Sequence, residues 1–419
     1  MISWPVYCQY VVLALCIQIC LTEAVVPNYF PSSKALSRLE IIKHYFKQGF
    51  MYQDIVCLLL IRHGFVISLR QLKRILKRNN LCRRHETWTP IEEVTQVIRG
   101  ELGNSGGCIG YRSMWRRLIL DHGVRVKRDT VLRIMKQIDP EGVALRKAKR
   151  LRRRKYYALG PNYVWHVDGY DKLKPFGFCI HAAIDGYSRR VLWLEVSSSN
   201  NNSNLIATYY LETLNQIGCA PRLLRSDLGT ENAMLSLLQP YFRYSARDSM
   251  AGMKSFMYGK STSNQRIEAF WGLLRRQGFD WWINLFKDLR DMNAFDDCDP
   301  LHVECLKFCF MNVIQAELDR IAFHWNLHDV RSQKFAEAPH GKPDVLFFIP
   351  ETLGAHDYGT KVNKDDVKLC MELYGTARIV CCQEFKELIR LLKPDVQIPV
   401  DANSALKLYF ELTQILSQH

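Results

Sequence analysis

The chain has 419 residues, 48% of them hydrophobic and 24% charged, a composition typical of globular proteins and sufficient for two to three domains. The formal net charge of +15 comes from the N-terminal part, because residues 1–160 contain 29 Lys and Arg against 11 Asp and Glu, whereas residues 161–419 contain 28 against 31. A basic arm on a nearly neutral body favours a polyanionic partner, with a merely solubilising basic surface as the alternative. The 14 cysteines include no Cys-x-x-Cys pair, so a zinc finger is not expected.

The chain begins with an apolar segment, residues 1–29. Its apolar run at 10–21 has the length of a signal-peptide core, but no Lys or Arg precedes it. The run is too short for a convincing membrane span, so no membrane partner is expected. Two interpretations stay open: a true signal peptide, which would route the protein to secretion, or an extra apolar helix or spurious first exon.

Residues 30–84 show three short amphipathic helices separated by glycines. Ser68 is expected to cap the third helix, which has an apolar face and a basic face. This pattern predicts a helix-turn-helix-like unit with a basic recognition helix, and a solvated cationic face on a small bundle is the alternative. The candidate DNA-binding residues on this helix are Arg70, Lys73, Arg74, Lys77 and Arg78.

A second helical unit is predicted for residues 88–145. Thr89, Pro90 and Glu92 suggest an N-cap, a first-turn proline and a capping box, and two further helices are expected at 111–122 and 128–137. The unit resembles the second helical DNA-binding segment that precedes the catalytic core of many bacterial insertion-sequence transposases. Residues 146–160 follow as a basic linker, with eight Lys or Arg among residues 146–155. Such a run is typical of a nucleic-acid tether or a nuclear-import signal.

Residues 161–335 predict an α/β domain. Strands are expected at 163–169, 176–184 and 189–196, followed by a helix at 205–217, a strand at 222–225 and a helix at 264–276. This chain order is that of the RNase H-like fold, a mixed five-stranded sheet with flanking helices. A flexible loop is expected at 245–263. Helices are also predicted within residues 336–419, without a functional interpretation beyond packing or partner contact.

Three acids lie at the ends of these elements. Asp168 stands where the first strand meets Gly169, Asp227 follows the fourth strand, and Glu268 lies on the last helix. Each acid alone is weak support, because strand-terminal Asp and helical Glu residues are commonly caps or salt-bridge partners. Phosphoryl transfer uses oxygen ligands from a few carboxylates to hold divalent ions, and these three acids supply that chemistry. Arg275 and Arg276, two turns beyond Glu268, can meet DNA phosphates.

These segments resemble the integrase core of the DDE integrase and transposase superfamily. There are 58 residues between Asp168 and Asp227 and 40 between Asp227 and Glu268, the second gap being slightly longer than is usual in the family. The resemblance implies that Asp168, Asp227 and Glu268 are catalytic metal ligands for two Mg²⁺ or Mn²⁺ ions. Asn232 and Asn264 match polar family positions beside the acids. The absence of a His/Cys zinc module points to a eukaryotic transposable-element origin rather than a viral one.

The resemblance implies a polynucleotidyl transferase that cleaves DNA strands and transfers them, acting on element ends and a target as a homo-oligomer in the nucleus. No small-molecule cofactor is expected. Two alternatives remain open: a domesticated DNA-binding protein that keeps the fold without transposing, and a metal-dependent nuclease that only hydrolyses its substrate. His166 is interpreted as a structural strand residue, and Trp281 and Trp282 as packing residues rather than base-stacking platforms.

Overall fold

The computed structural model describes residues 36–83, 88–104, 106, 109–140, 143, 158–259, 264–331 and 339–417. The apolar segment 1–29 and nearly all of the basic linker 146–160 therefore lie outside the described residues.

The centre of the molecule is a mixed sheet of five strands in the order β3-β2-β1-β5-β6. Strands β1 to β3 pair antiparallel, whereas β5 pairs parallel with β1 and β6 pairs parallel with β5. This sheet, covered by helices, confirms the RNase H-like integrase core expected from the sequence. The strands are β1 Val164–Tyr170, β2 Cys179–Asp185, β3 Val191–Ser197, β5 Leu223–Ser226 and β6 Phe256–Tyr258.

Two local sequence predictions were wrong. The second strand begins at Cys179 rather than at 176, because Lys174–Phe176 forms a 3-10 turn that ends at Gly177, whose φ is 84°. Strand β6 lies within the expected loop at 245–263 and follows a 3-10 turn at Gly252–Ser255. Three residues are too few to show a strand period in sequence, and β6 forms because β5 offers it a hydrogen-bonding edge.

The sheet is buried on both faces because side chains alternate along its strands. On β1, Trp165 and Val167 face one hydrophobic cluster, whereas Tyr170 belongs to the other. The first cluster is covered by α7 Ser203–Ile217, α8 Ala233–Phe242 and α13 Lys364–Tyr374. The second is covered by α9 Gln265–Leu274, α10 Asp280–Asp291, α11 Pro300–Asn326, α14 Gln383–Leu392 and α15 Ala402–Leu416.

The C-terminal helices therefore pack on the central sheet domain. Leu408, Tyr409 and Leu412 of α15 belong to the same cluster as α11, and Val367 of α13 belongs to the cluster of α7. A two-stranded sheet adds a backbone connection, because β7 Thr360–Lys361 pairs with β4 Cys219–Ala220.

Two helical bundles precede the sheet domain, each with its own apolar core. The first packs on α12 Pro343–Phe348 of the sheet domain. The first helix of the second bundle begins at Ile91, and its N-cap is Pro90, so the predicted Thr89 cap was wrong. The Thr89 hydroxyl instead accepts a hydrogen bond from the Arg125 backbone N–H at 2.9 Å. Their helices are α1 Arg38–Lys47, α2 Tyr52–His63, α3 Leu69–Arg78, α4 Ile91–Leu102, α5 Tyr111–Leu120 and α6 Arg128–Ile138.

Candidate functional site

Asp168 lies on the face of β1 that α9 covers. It is two residues beyond His166, so both side chains project to the same side of the sheet. Asp168 is only 9% exposed, and one oxygen of its carboxylate, Oδ2, accepts a hydrogen bond from the indole Nε1 of Trp271 at 2.8 Å. The buried acid is therefore held by a neutral donor from the helix opposite.

Asp227 reaches the same edge of the sheet because β5 runs parallel to β1. The register pairs His166 with Arg225, and Asp168 and Asp227 each follow two residues later along their chains. Parallel strands bring their carboxyl ends to one edge, so the register alone makes these acids neighbours. The side-chain amide of Asn232, which is fully buried, donates to Asp227 Oδ1 at 3.3 Å.

Glu268 lies in the first turn of α9, exposed and directed toward the same edge. The N-cap residue Asn264 fixes this helix to β1. Its amide Nδ2 donates to the backbone carbonyl of Val167 at 2.9 Å, and its Oδ1 lies 2.5 Å from Nδ1 of His166. Because Asn264 bonds to His166 and Val167, the two residues before Asp168, the start of the Glu268 helix is tied to the strand that carries the first acid.

Electrostatics show that the three acids face one another. The pKa of Asp168 is raised to about 7: burial raises it most, the charges of Asp227 and Glu268 add to this, and the Trp271 hydrogen bond opposes them. Burial and the charge of Asp227 also raise the pKa of Glu268. Charges influence one another's pKa in this way only at short range, so the three acids lie in one neighbourhood.

The carboxylates of Asp168, Asp227 and Glu268 are suited to bind hard divalent cations. Carboxylate oxygens are the ligands that Mg²⁺ and Mn²⁺ prefer, and mutual repulsion among the acids is relieved when a cation binds. Among the described residues, only the exposed group Asp296, Asp297 and Cys298 brings three potential ligand atoms, two carboxylate oxygens and a thiol sulfur, within 4.8 Å of one another, so the three acids of the site are more widely spread.

The predicted DNA-binding residues lie in two places. All five basic residues of α3, Arg70, Lys73, Arg74, Lys77 and Arg78, are exposed on the first bundle. Arg275 and Arg276 are also exposed, just after α9, but Arg275 forms an ion pair with Asp280 at 2.7 Å. The chain turns there through a π-helical segment, Arg275–Phe279, whose kink at Gly278 has a φ of 124°.

Sequence reasoning missed the link between Trp271 and Asp168. Trp271 lies on the apolar face of α9, where its ring centroid is 5.1 Å from that of Tyr170. Nothing in the pattern showed that its N–H would meet an acid 103 positions away. The interpretation of His166 as a structural residue agrees with its full burial, which lowers its pKa to about 4.

Comparison with known proteins agrees with this architecture. Residues 155–342 match the integrase core domain family. A comparison with curated proteins gave no match. In the part of the chain that the structure describes, no helix combines the length and apolar character needed to cross a membrane. Integrase core domains generally use divalent metals, and they have a polynucleotidyl transferase fold. The chain thus contains an integrase core domain at residues 155–342, which supports a protein of the integrase/transposase-type DDE superfamily.

Proposed function

We propose that this protein cleaves DNA strands and transfers them, with Asp168, Asp227 and Glu268 as the catalytic residues that hold two Mg²⁺ or Mn²⁺ ions. The observation that carries the proposal is the convergence of the three acids. The parallel register aligns Asp168 with Asp227, and Asn264 ties the helix of Glu268 to the same strand. Acids that share one neighbourhood without a cation raise one another's pKa, and a bound cation relieves that repulsion.

The chemistry follows from what each part supplies. The ions, when bound, stabilise charge on the attacking and leaving oxygens of the phosphodiester. Water attacks a phosphodiester at an element end, and the 3′-hydroxyl that is freed then attacks a target strand. The three acids would hold and orient the metal ions, and the attacking groups are water and a DNA hydroxyl, so no side-chain nucleophile is required.

DNA is the proposed partner, and the exposed basic face of α3 is its proposed contact surface. Lys and Arg side chains there would release counterions from the phosphate backbone, which makes the binding depend on salt. The exposed Arg276, and Arg275 if it leaves Asp280, would contact phosphates beside the acids. Assembly as a homo-oligomer on paired ends and residence in the nucleus are also proposed, the latter resting on the basic run at 146–155 in the sequence.

A strand-transfer assay tests the proposal. Full-length protein is incubated with Mg²⁺ or Mn²⁺ and duplexes that carry a range of end sequences, and joined and cut products are resolved separately. We expect Asp168→Asn, Asp227→Asn and Glu268→Gln each to lower strand transfer by at least about 100-fold, because each removes a charged ligand. DNA affinity should stay within about twofold, since the α3 surface is untouched.

The matched control is Asp171→Asn. Asp171 follows β1, is 56% exposed and forms an ion pair with Lys174, so it shares the neighbourhood but not the site. This variant should retain wild-type transfer. Undiminished transfer by any variant of the three acids would remove that acid from the ligand set. Cut products without joined products would identify a nuclease, and DNA binding without either product would identify a domesticated binding protein.

A further inference from the structure

The indole N–H of Trp271 makes a specific contact with the first acid of the site. Trp271 is 6% exposed, and its Nε1 donates to Asp168 Oδ2 at 2.8 Å. The indole packs against two aromatic rings, with centroids 5.1 Å from Tyr170 and 5.6 Å from Phe270. This packing restricts the ring while its N–H is directed at Asp168.

From this contact we infer that Trp271 is a positioning residue that fixes the Asp168 carboxylate in the orientation needed to bind a divalent cation. The inference rests on the proposed function of the three acids. A donor that serves this purpose must hold the carboxylate without neutralising it. An indole N–H donates one hydrogen bond and carries no charge, whereas Lys or Arg at this place would compete with the metal.

The position of Trp271 on α9 strengthens the inference. Residues three apart on a helix are neighbours on its surface, so Glu268 and Trp271 lie side by side. One helix therefore carries the third acid and the donor to the first acid. The Trp271 hydrogen bond joins α9 to Asp168, and the Asn264 hydrogen bond joins the start of α9 to Val167. Together these two bonds set the separation between Asp168 and Glu268.

Packing alone does not account for the contact. Trp282 lies on the next helix, is 3% exposed and belongs to the same hydrophobic cluster. Its Nε1 is buried and has no hydrogen-bond partner among the residues that the structure describes. This cluster thus accepts a buried indole whose N–H is unsatisfied, and the bond from Trp271 to Asp168 is a particular feature of the site.

Metal titration provides the test, and it does not depend on catalysis. Mg²⁺ and Mn²⁺ are titrated separately into the full chain by isothermal calorimetry, after chemical unfolding without metal has shown that each variant is folded. We expect Trp271→Phe to weaken divalent-cation affinity about 10- to 100-fold, the usual effect of losing a residue that orients a metal ligand. Trp282→Phe makes the same change in the same cluster, and we expect it to leave the affinity unchanged within about twofold.

Two further variants make every outcome informative. If Trp271→Phe does not fold, Trp271→Met replaces it, since Met keeps apolar bulk and lacks the N–H. In the Asp168→Asn background, removal of the Trp271 indole should have no further effect on affinity, because the carboxylate that it orients is gone. Equal losses from the Trp271 and Trp282 variants would overturn the inference by assigning both effects to packing.

The test also separates this inference from the proposed function. Wild-type protein that binds neither ion would overturn both. Wild-type protein whose binding is abolished by Asp168→Asn but unchanged by Trp271→Phe would overturn the role of Trp271 alone and leave the proposed ligand set intact.

Discussion

Buried acids in this protein differ in what offsets the cost of their burial. Asp185 accepts hydrogen bonds from the backbone and hydroxyl of Ser188 and from the backbone of Asn162. Glu195 on β3 is half-buried and has weaker compensation: its pKa is raised to about 7, chiefly by burial and also by the charges of Asp319 and Glu212, and Arg378 only partly opposes them. The folded protein therefore binds a proton at Glu195 more tightly than the unfolded chain does.

The pH dependence of Glu195→Gln follows from that difference. The folded-state pKa of about 7 lies above the ordinary value of 4.5, so the stability that protonation contributes is fully present below about 4.5 and is lost as the pH rises through 7. Gln is neutral at every pH. We expect the variant to exceed wild type by roughly 1–2 kcal/mol at pH 8, allowing for partial exposure, and by much less at pH 5.

Urea unfolding at the two pH values measures this effect. Glu372→Gln is the control, because Glu372 is 63% exposed and its pairing with Lys368 at 3.9 Å is weak. A difference between Glu195→Gln and wild type that is the same at pH 5 and pH 8 would contradict the prediction.

At the scale of elements, the contact between α9 and β1 determines where the third acid lies. Asn264 is 2% exposed and uses both ends of its amide, one on the Val167 carbonyl and one on His166. This buried amide therefore ties the start of α9 to β1.

Asn264→Ala should destabilise the fold and the site together. The Val167 carbonyl and the His166 ring would lose their partner in a buried place, which costs about 1–3 kcal/mol. Urea unfolding should show this loss, and strand transfer should fall with it because Glu268 is no longer held beside Asp168. Asn201→Ala, at an exposed position before α7, should change stability by less than about 0.5 kcal/mol. Unchanged transfer by a folded Asn264→Ala variant would show that the amide does not position the helix.

At the scale of the whole molecule, a buried ion network joins the second bundle to the sheet domain. Arg117 of α5 binds Glu101 of α4 at 2.8 Å and Glu317 of α11 at 3.0 Å. Its guanidinium also donates to the backbone carbonyl of Gln277 at 3.1 Å, in the kinked segment just after α9. The bundle therefore contacts the segment that follows the Glu268 helix through an almost fully buried cation.

Arg117→Met should loosen this connection. Removing the cation takes a charged hydrogen bond from each of two buried carboxylates, while Arg320 still pairs with both, and the loss costs about 1–3 kcal/mol. Guanidinium unfolding measures the loss, and adding Glu317→Gln should recover part of it by removing one negative charge from a network that has lost a cation. Arg112→Met on the exposed side of α5 is the control, with an expected change within about 0.5 kcal/mol. An Arg117→Met variant as stable as this control would show that the network contributes nothing to the connection.

Much of the fold and of the candidate site was predictable from local patterns. The apolar periods of the helices, the short apolar runs of β1 to β3 and the placement of Asp168, Asp227 and Glu268 at element ends are properties of short stretches of chain. Errors fell where local patterns are weak. Strand β6 has three residues, and Thr89 had the residue type of a cap but bonds to Arg125, far along the sequence.

The sequence by itself determined which segments become strands and helices and which acids stand at their ends, because these follow from side-chain chemistry over a few residues. Tertiary structure decided how those acids are held. The Trp271 bond to Asp168 joins residues 103 positions apart, and the Arg117 bond to Glu317 spans 200. Such contacts depend on how elements pack, and a donor's partner is set only when the chain brings both to the same buried place.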